Sequence, residues 1–242
     1  MRPSGGERGF AIEPVGETCL VLRFGERIDA ALNARVHDAA AALRAAALPG
    51  VIDMLPAYAT LALTYAPAVW SAGSGAPWRQ LADAVRALLA SGSPRIASSV
   101  ASIEIPVTYG GERGPDLDAL ALHCGLSRDA VIARHTTPTY RVAMLGFAPG
   151  FPYLLGLDPA LHTPRRATPR VRVPRGSVAI GGAQTGIYPA QLPGGWQLVG
   201  QTPLALFDPA REPPALLAPG DQVRFRAIDA DEFAALAGRT SW

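Results

Sequence analysis

The sequence predicts an α+β protein, a small N-terminal α+β domain followed by a β barrel, and three observations carry that reading. Paired β-prone runs alternate with amphipathic helical stretches over the first part of the chain. Residues 90–99, which contain Gly92, Ser93 and Pro94, lose all periodicity and read as a linker. Beyond Tyr140, short β-prone runs are divided at close intervals by glycine and proline, the pattern of a closed or nearly closed barrel. The expected domains are residues 1–92 and residues 98–242.

Residues 10–14 and 18–24 are apolar-rich runs on either side of Gly16 and Glu17, which reads as two strands and a turn. Asp29 is placed to cap a helix in which Ile28, Leu32, Val36, Ala39 and Leu43 recur at helical spacing until Pro49 and Gly50 stop it. Residues 51–55 and 60–65 read as two further strands, and Trp78, Leu81, Val85 and Leu88 mark a second helix. The order is ββαββα. In the second domain Ile103, Ile105 and Val107 alternate with Glu104, Pro106 and Thr108 as a strand. Helices are expected over 116–124 and 127–134, the first ended by Gly125 and the second capped by Ser127. Strands are then expected at 141–145, 177–180, 197–199, 205–207 and 222–228. Residues 119–135 imitate a DNA-binding helix-turn-helix. The second helix, however, carries Asp129 beside Arg128 and Arg134 and leads straight into a strand, so two helices covering a barrel is the reading taken, with no nucleic-acid partner.

Hydrophobic residues make up 49% of the chain, enough for a substantial core. No apolar run approaches the ~20 residues that span a bilayer, and the start MRPSGGERGF lacks the apolar segment of a secretory signal. A cytoplasmic protein without a membrane partner is expected. Cys19 and Cys124 are far apart in sequence, so neither a disulfide framework nor a structural metal site is expected. All 22 basic residues are arginine. The lack of lysine excludes a Walker-type phosphate-binding lysine, a Schiff base and a biotin attachment site.

Residues 141–207 hold six arginines (Arg141, Arg165, Arg166, Arg170, Arg172 and Arg175) against one acid, Asp158, which points to an anionic ligand. His135 stands where the second helix meets the barrel, able to contact a substrate, shuttle a proton, cap the helix or satisfy a buried carbonyl. His162, beside the arginines, is a second candidate. The run from Gly146 to Tyr153 contains two glycines and two prolines and reads as successive turns, neither helix nor central strand. Its aromatics either plug the loop or wall a ligand cleft, and the flanking polarity favours the cleft. The run from Gly181 to Pro189 is not a dinucleotide fingerprint. Gln184, Thr185 and Tyr188 offer it polar groups, while tight turns with Tyr188 and Trp196 in the core explain its glycines as well. One acid and one histidine do not make an acid–base pair, no nucleophile is assigned, and a site completed by another chain is expected.

Several ordered blocks carry a family signature. They are HT at His135, YRV at Tyr140, GFAPGFPYL at Gly146, PR at Pro169, VPRGSVAI at Val173, QTGIYP at Gln184, PGGW at Pro193 and LAPGD at Leu217. Together they resemble the family of 5-oxoprolinase B subunits, also called allophanate hydrolase subunit 1 or KipI. The resemblance implies a cyclophilin-like barrel and two partners, the A and C subunits of 5-oxoprolinase, the latter also cyclophilin-like. It implies a hydrolase component, inactive alone, of a hetero-oligomeric complex that opens 5-oxo-L-proline to L-glutamate with ATP as co-substrate, accompanied by magnesium. It also implies substrate contacts at His135, Arg170, Gln184, Thr185 and Tyr188. Phe147, Pro149, Gly150, Phe151, Tyr153, Gly182, Gly194, Gly195 and Trp196 would shape the cleft. Relatives in the same broad family inhibit a sensor histidine kinase or form half of a urea carboxylase carboxyltransferase, which are the alternative functions. Two departures stand out: Gln201 replaces an arginine common in the family, and Arg175 replaces a small residue.

Overall fold

The computed structural model describes residues 9–71, 75–90 and 102–238. The chain divides into two compact units, Met1–Ser99 and Val100–Trp242. Past Ala90, the expected linker lies outside the described residues.

The first unit contains β1 (Ala11–Val15), β2 (Cys19–Arg23), α1 (Ala30–Ala46), β3 (Val51–Pro56), β4 (Thr60–Tyr65) and α2 (Pro77–Ala90). Its antiparallel sheet has the order β1-β2-β4-β3. Alternation buries Leu20 and Leu22 of β2 with Leu61, Leu63 and Tyr65 of β4, and these meet Val36 and Leu43 of α1 and Leu81 and Val85 of α2. Asp29 caps α1, its carboxylate accepting from the N–H groups of Ala31 and Leu32 at 2.9 Å. Ile28 precedes the cap and is exposed, so it does not belong to the helical stripe expected of it. The helix ends at Ala46, and Ala47 adopts a left-handed conformation before Pro49 and Gly50 are reached.

The second unit begins with β5 (Ser102–Tyr109), α3 (Leu117–Cys124), α4 (Arg128–Thr136), β6 (Tyr140–Leu145) and β7 (Pro152–Leu155). It continues with β8 (Arg170–Val173), β9 (Ser177–Gly181), β10 (Gln184–Ile187), β11 (Leu192–Gly194), β12 (Gln197–Gln201), β13 (Gln222–Ala227) and α5 (Ala230–Ala237). Seven strands close a barrel in the order β10-β7-β6-β13-β5-β12-β9, and β8 pairs with β11 in a separate ribbon. Each barrel strand sends at least one apolar side chain inward: Ile105, Val142, Leu154, Val178, Ile187, Val199 and Val223. Burial of a side chain of this kind contributes about 1.5–3 kcal/mol. Leu117, Leu120 and Ala121 of α3 and Val131 of α4 join the same core, which accounts for the apolar faces of the helix pair. Gly125 sits at φ +65° between the helices, and the Ser127 hydroxyl accepts from the Ala130 N–H at 3.1 Å.

Two local expectations change. Pro152 opens β7, a strand paired on both sides; a first residue can forgo the N–H that proline lacks. Residues 205–207 form no strand and contribute only an isolated bridge from Phe207 to Ala215. Near the end of the described chain two acids are engaged locally. Asp229 caps α5 through the Glu232 N–H at 2.8 Å, and Glu232 pairs with Arg226 at 2.8 Å.

Candidate functional site: an aromatic cleft with an arginine rim

Strand β9 has two chemically distinct faces. Val178 and Ile180 point into the barrel core, whereas Ala179 belongs to a second cluster with Phe151, Val173, Tyr188, Trp196 and Leu198 on the outer face. Glycine lets the aromatics lie directly on the strands: a Cβ at Gly181 would come 2.7 Å from the Trp196 ring, and one at Gly186 would come 3.1 Å from Phe151. The rings meet edge to face, Phe151 to Tyr188 at 5.2 Å and Phe151 to Trp196 at 5.7 Å.

A cleft of about 210 Å³ opens among these rings. Its walls are Phe147, Phe151, Tyr153, Tyr188 and Trp196, with Gly194 and Gly195 on the ribbon side. Arg165, Arg166, Pro169 and Pro193 complete the lining. Phe147 is 60% exposed with φ +68°, a left-handed conformation that costs a non-glycine residue about 1–2 kcal/mol. The Arg165 guanidinium stands 5.7 Å from the centre of the Trp196 ring and makes no ion pair among the described residues. Burial pushes the Tyr188 hydroxyl above its ordinary pKa, against the opposing effects of the Trp196 N–H and Arg165. Tyr153 is raised by burial in the same way, so both phenols stay protonated near neutrality.

The structure thus gathers Phe147, Phe151, Tyr153, Tyr188, Gly194, Gly195 and Trp196, but distributes the other expected site residues elsewhere. Arg170 is committed to Asp116, two of its nitrogens each 2.8 Å from the carboxylate. Asp116 is 5% exposed and also accepts from Arg166 at 3.2 Å and from the Leu198 N–H at 2.7 Å. This is the acid that the count over residues 141–207 missed. It lies at the N-cap position of α3, yet its side chain makes no cap bond and turns to the arginines instead. Asp158, the acid inside that segment, pairs with Arg134 at 2.8 Å.

His135 does not face a cleft; it has no exposed surface and stacks on Phe225 at 4.5 Å inside the barrel. Thr185 is equally buried and donates to the Ala179 carbonyl at 3.0 Å. With that hydroxyl proton spent, Thr185 accepts from His135 Nε2–H at 3.0 Å, and Nδ1 accepts from the Tyr109 hydroxyl at 2.7 Å. Burial drives the imidazole pKa down to about 3, so the ring is neutral. Both residues lie in the barrel interior, away from the clefts, and tie it together. Gln184 shares the outer face of β10 with Gly186 and is nearly buried without lining the cleft. Gly182 forms the exposed β9–β10 turn at φ +66° and exchanges backbone hydrogen bonds with Thr163 at 2.8 and 3.3 Å. Pro149 and Gly150 line a separate, shallower depression. The two departures touch: the Gln201 side-chain amide donates to the Arg175 carbonyl at 2.7 Å. His162 is exposed and lines none of the clefts described.

Known proteins match this chain over most of its length. The family model described as carboxyltransferase domain, subdomain C and D, covers residues 10–217. The 5-oxoprolinase B subunit of Bacillus subtilis (strain 168) is 43% identical over 228 residues, 93% of this chain and 95% of that protein. The 5-oxoprolinase B subunit of Escherichia coli O157:H7 is 45% identical over 213 residues, 87% of this chain and 93% of that one. Among solved structures, TTHA0988 is similar with a TM-score of 0.75 and 44% identity; the match covers 88% of this chain and 40% of that one. By this extent and identity, the chain belongs to the family of 5-oxoprolinase B subunits.

Proposed function

We propose that this chain is the B subunit of an ATP-dependent 5-oxoprolinase, which opens 5-oxo-L-proline to L-glutamate together with A and C subunits. The observation that carries the reading is the cleft of about 210 Å³, apolar in its walls and cationic at its rim. 5-Oxoproline is a compact ring bearing one carboxylate. Its ring suits the cleft walled by these aromatic rings, and its carboxylate suits the guanidinium of Arg165. Substrate contact then falls to Tyr188 and Arg165, and no longer to His135, Thr185 or Arg170. Among the described residues, no carboxylate, histidine or cysteine lines the cleft. In this reading the groups that move protons come from a partner, and the chain alone is inactive. A lactam is stabilised by amide resonance; ATP supplies the driving force, and arginines offset the charge of the transferring phosphoryl group.

The test is glutamate release from 5-oxoproline and ATP by the chain alone, by the partners alone, and by the mixture. Release only from the mixture supports the reading; none from a mixture that demonstrably assembles opposes it. The family model's description favours carboxyl transfer as the second reading. In that case the assembled mixture forms no glutamate but accepts carboxylate from a biotinylated carrier, which must be another chain because this one has no lysine.

A further inference from the structure

The Arg165–Arg166 ridge has a second side. Opposite the aromatic cleft it borders a groove of about 490 Å³, whose remaining polar lining includes His123, Thr163, Thr168 and Gln197. Among the described residues no acid lines it. Asp116, the nearby carboxylate, is buried behind the ridge and already accepts four hydrogen bonds. The ridge is tethered at three points: Thr163 to Gly182, the Pro164 carbonyl to Gln197 at 3.0 Å, and the Arg166 N–H to the Gly195 carbonyl at 2.7 Å. Arg165 and Arg166, the latter held to Asp116 through one nitrogen, therefore line a fixed, roomy concavity together with His123 and Thr168. Its volume is more than twice that of the aromatic cleft.

We propose that this groove binds a polyphosphate. A single carboxylate saturates one guanidinium fork, whereas donors spread over a wide, acid-free groove suit several linked anionic groups carrying many acceptor oxygens. The link to the phosphates of ATP rests on the proposed function, but the preference of the groove does not, so the two can fail separately.

Inorganic tripolyphosphate is titrated calorimetrically into the full chain at constant ionic strength. Saturable one-to-one binding is expected. Arg165→Ala should weaken it by about 10-fold or more, the loss typical of a charge-assisted hydrogen bond. Ala119 lies on the exposed face of α3 in the groove lining, so Ala119→Glu should abolish binding and Ala119→Arg should strengthen it. Phe147→Ala, which alters only the aromatic side, should leave binding unchanged, and so should Arg172→Ala, an exposed arginine outside the groove. No saturable binding would overturn the proposal, as would equal losses from Arg172→Ala and Arg165→Ala or a loss caused by Phe147→Ala. Tripolyphosphate binding by a chain that supports no glutamate release retains the groove and discards the 5-oxoprolinase reading.

Discussion

Acid should destabilise this protein through one imidazole. His135 is fully enclosed, and its two nitrogens are committed to Tyr109 at 2.7 Å and Thr185 at 3.0 Å. Protonation at Nδ1 would set an N–H against the Tyr109 hydroxyl proton in a site that solvates no charge. Burial therefore lowers the folded-state pKa from 6.5 to about 3. The sign follows directly. Between those two values the unfolded chain binds a proton that the folded chain refuses, so stability is complete above pH 6.5 and falls as pH drops toward 3. At about 1.4 kcal/mol per unit, the loss reaches roughly 2 kcal/mol at pH 5 and roughly 3 kcal/mol at pH 4. Urea unfolding of wild type and His135→Gln from pH 8 to pH 4 measures it. The variant, which cannot titrate there, is less stable at pH 8 but should show a shallower acid slope, smaller by about one proton. Identical slopes would refute the reasoning, as would an imidazole resonance of His135 that titrates near pH 6.5.

Three further outcomes follow from the same geometry. Asp116→Ala strands the Arg166 and Arg170 charges and the Leu198 N–H, and should cost about 3–5 kcal/mol in chemical denaturation, well beyond the effect of Asp158→Ala at its more exposed pair. Gly194→Ala should destabilise the fold, because the added Cβ would collide with the Tyr188 hydroxyl, while Gly195→Ala should not, its nearest neighbour being Pro169 at 3.5 Å; equal melting temperatures for the two variants would contradict this. Phe147→Gly removes the left-handed strain and Phe147→Ala retains it, so the glycine variant should melt higher by about 1–2 kcal/mol equivalent while both raise the KM for 5-oxoproline in the assembled complex.

Regular elements were legible where period and punctuation agree. Asp29, Ser127 and Gly125 act as the caps and stop that their residue types foretell, and the apolar alternation at Ile105 and Val107 is the barrel wall. The ribbon strands β8 and β11 were not legible, because a three- or four-residue run rich in arginine, proline and glycine carries no periodic signal. Of the site, the aromatic and glycine positions could be read from one contiguous stretch. The partner of Arg170 could not, since Asp116 lies 54 residues away in sequence and reaches it only through the fold. His135 shows the remaining limit: a histidine at a helix–strand junction looks the same in sequence whether it turns to solvent or to the core, and only the closed barrel decides.

The KM for 5-oxoproline in a complex assembled with Gly195→Val tests the aromatic cleft as the substrate site most directly. Gly195 lines the aromatic cleft and has room for a Cβ, so the added methyl groups should fill ligand space without disturbing the fold. The expected result is a KM raised by at least about tenfold with the KM for ATP unchanged, the mark of lost ground-state binding at one ligand alone. An unaltered KM for 5-oxoproline, or a wild-type complex that assembles and releases no glutamate, would contradict the account.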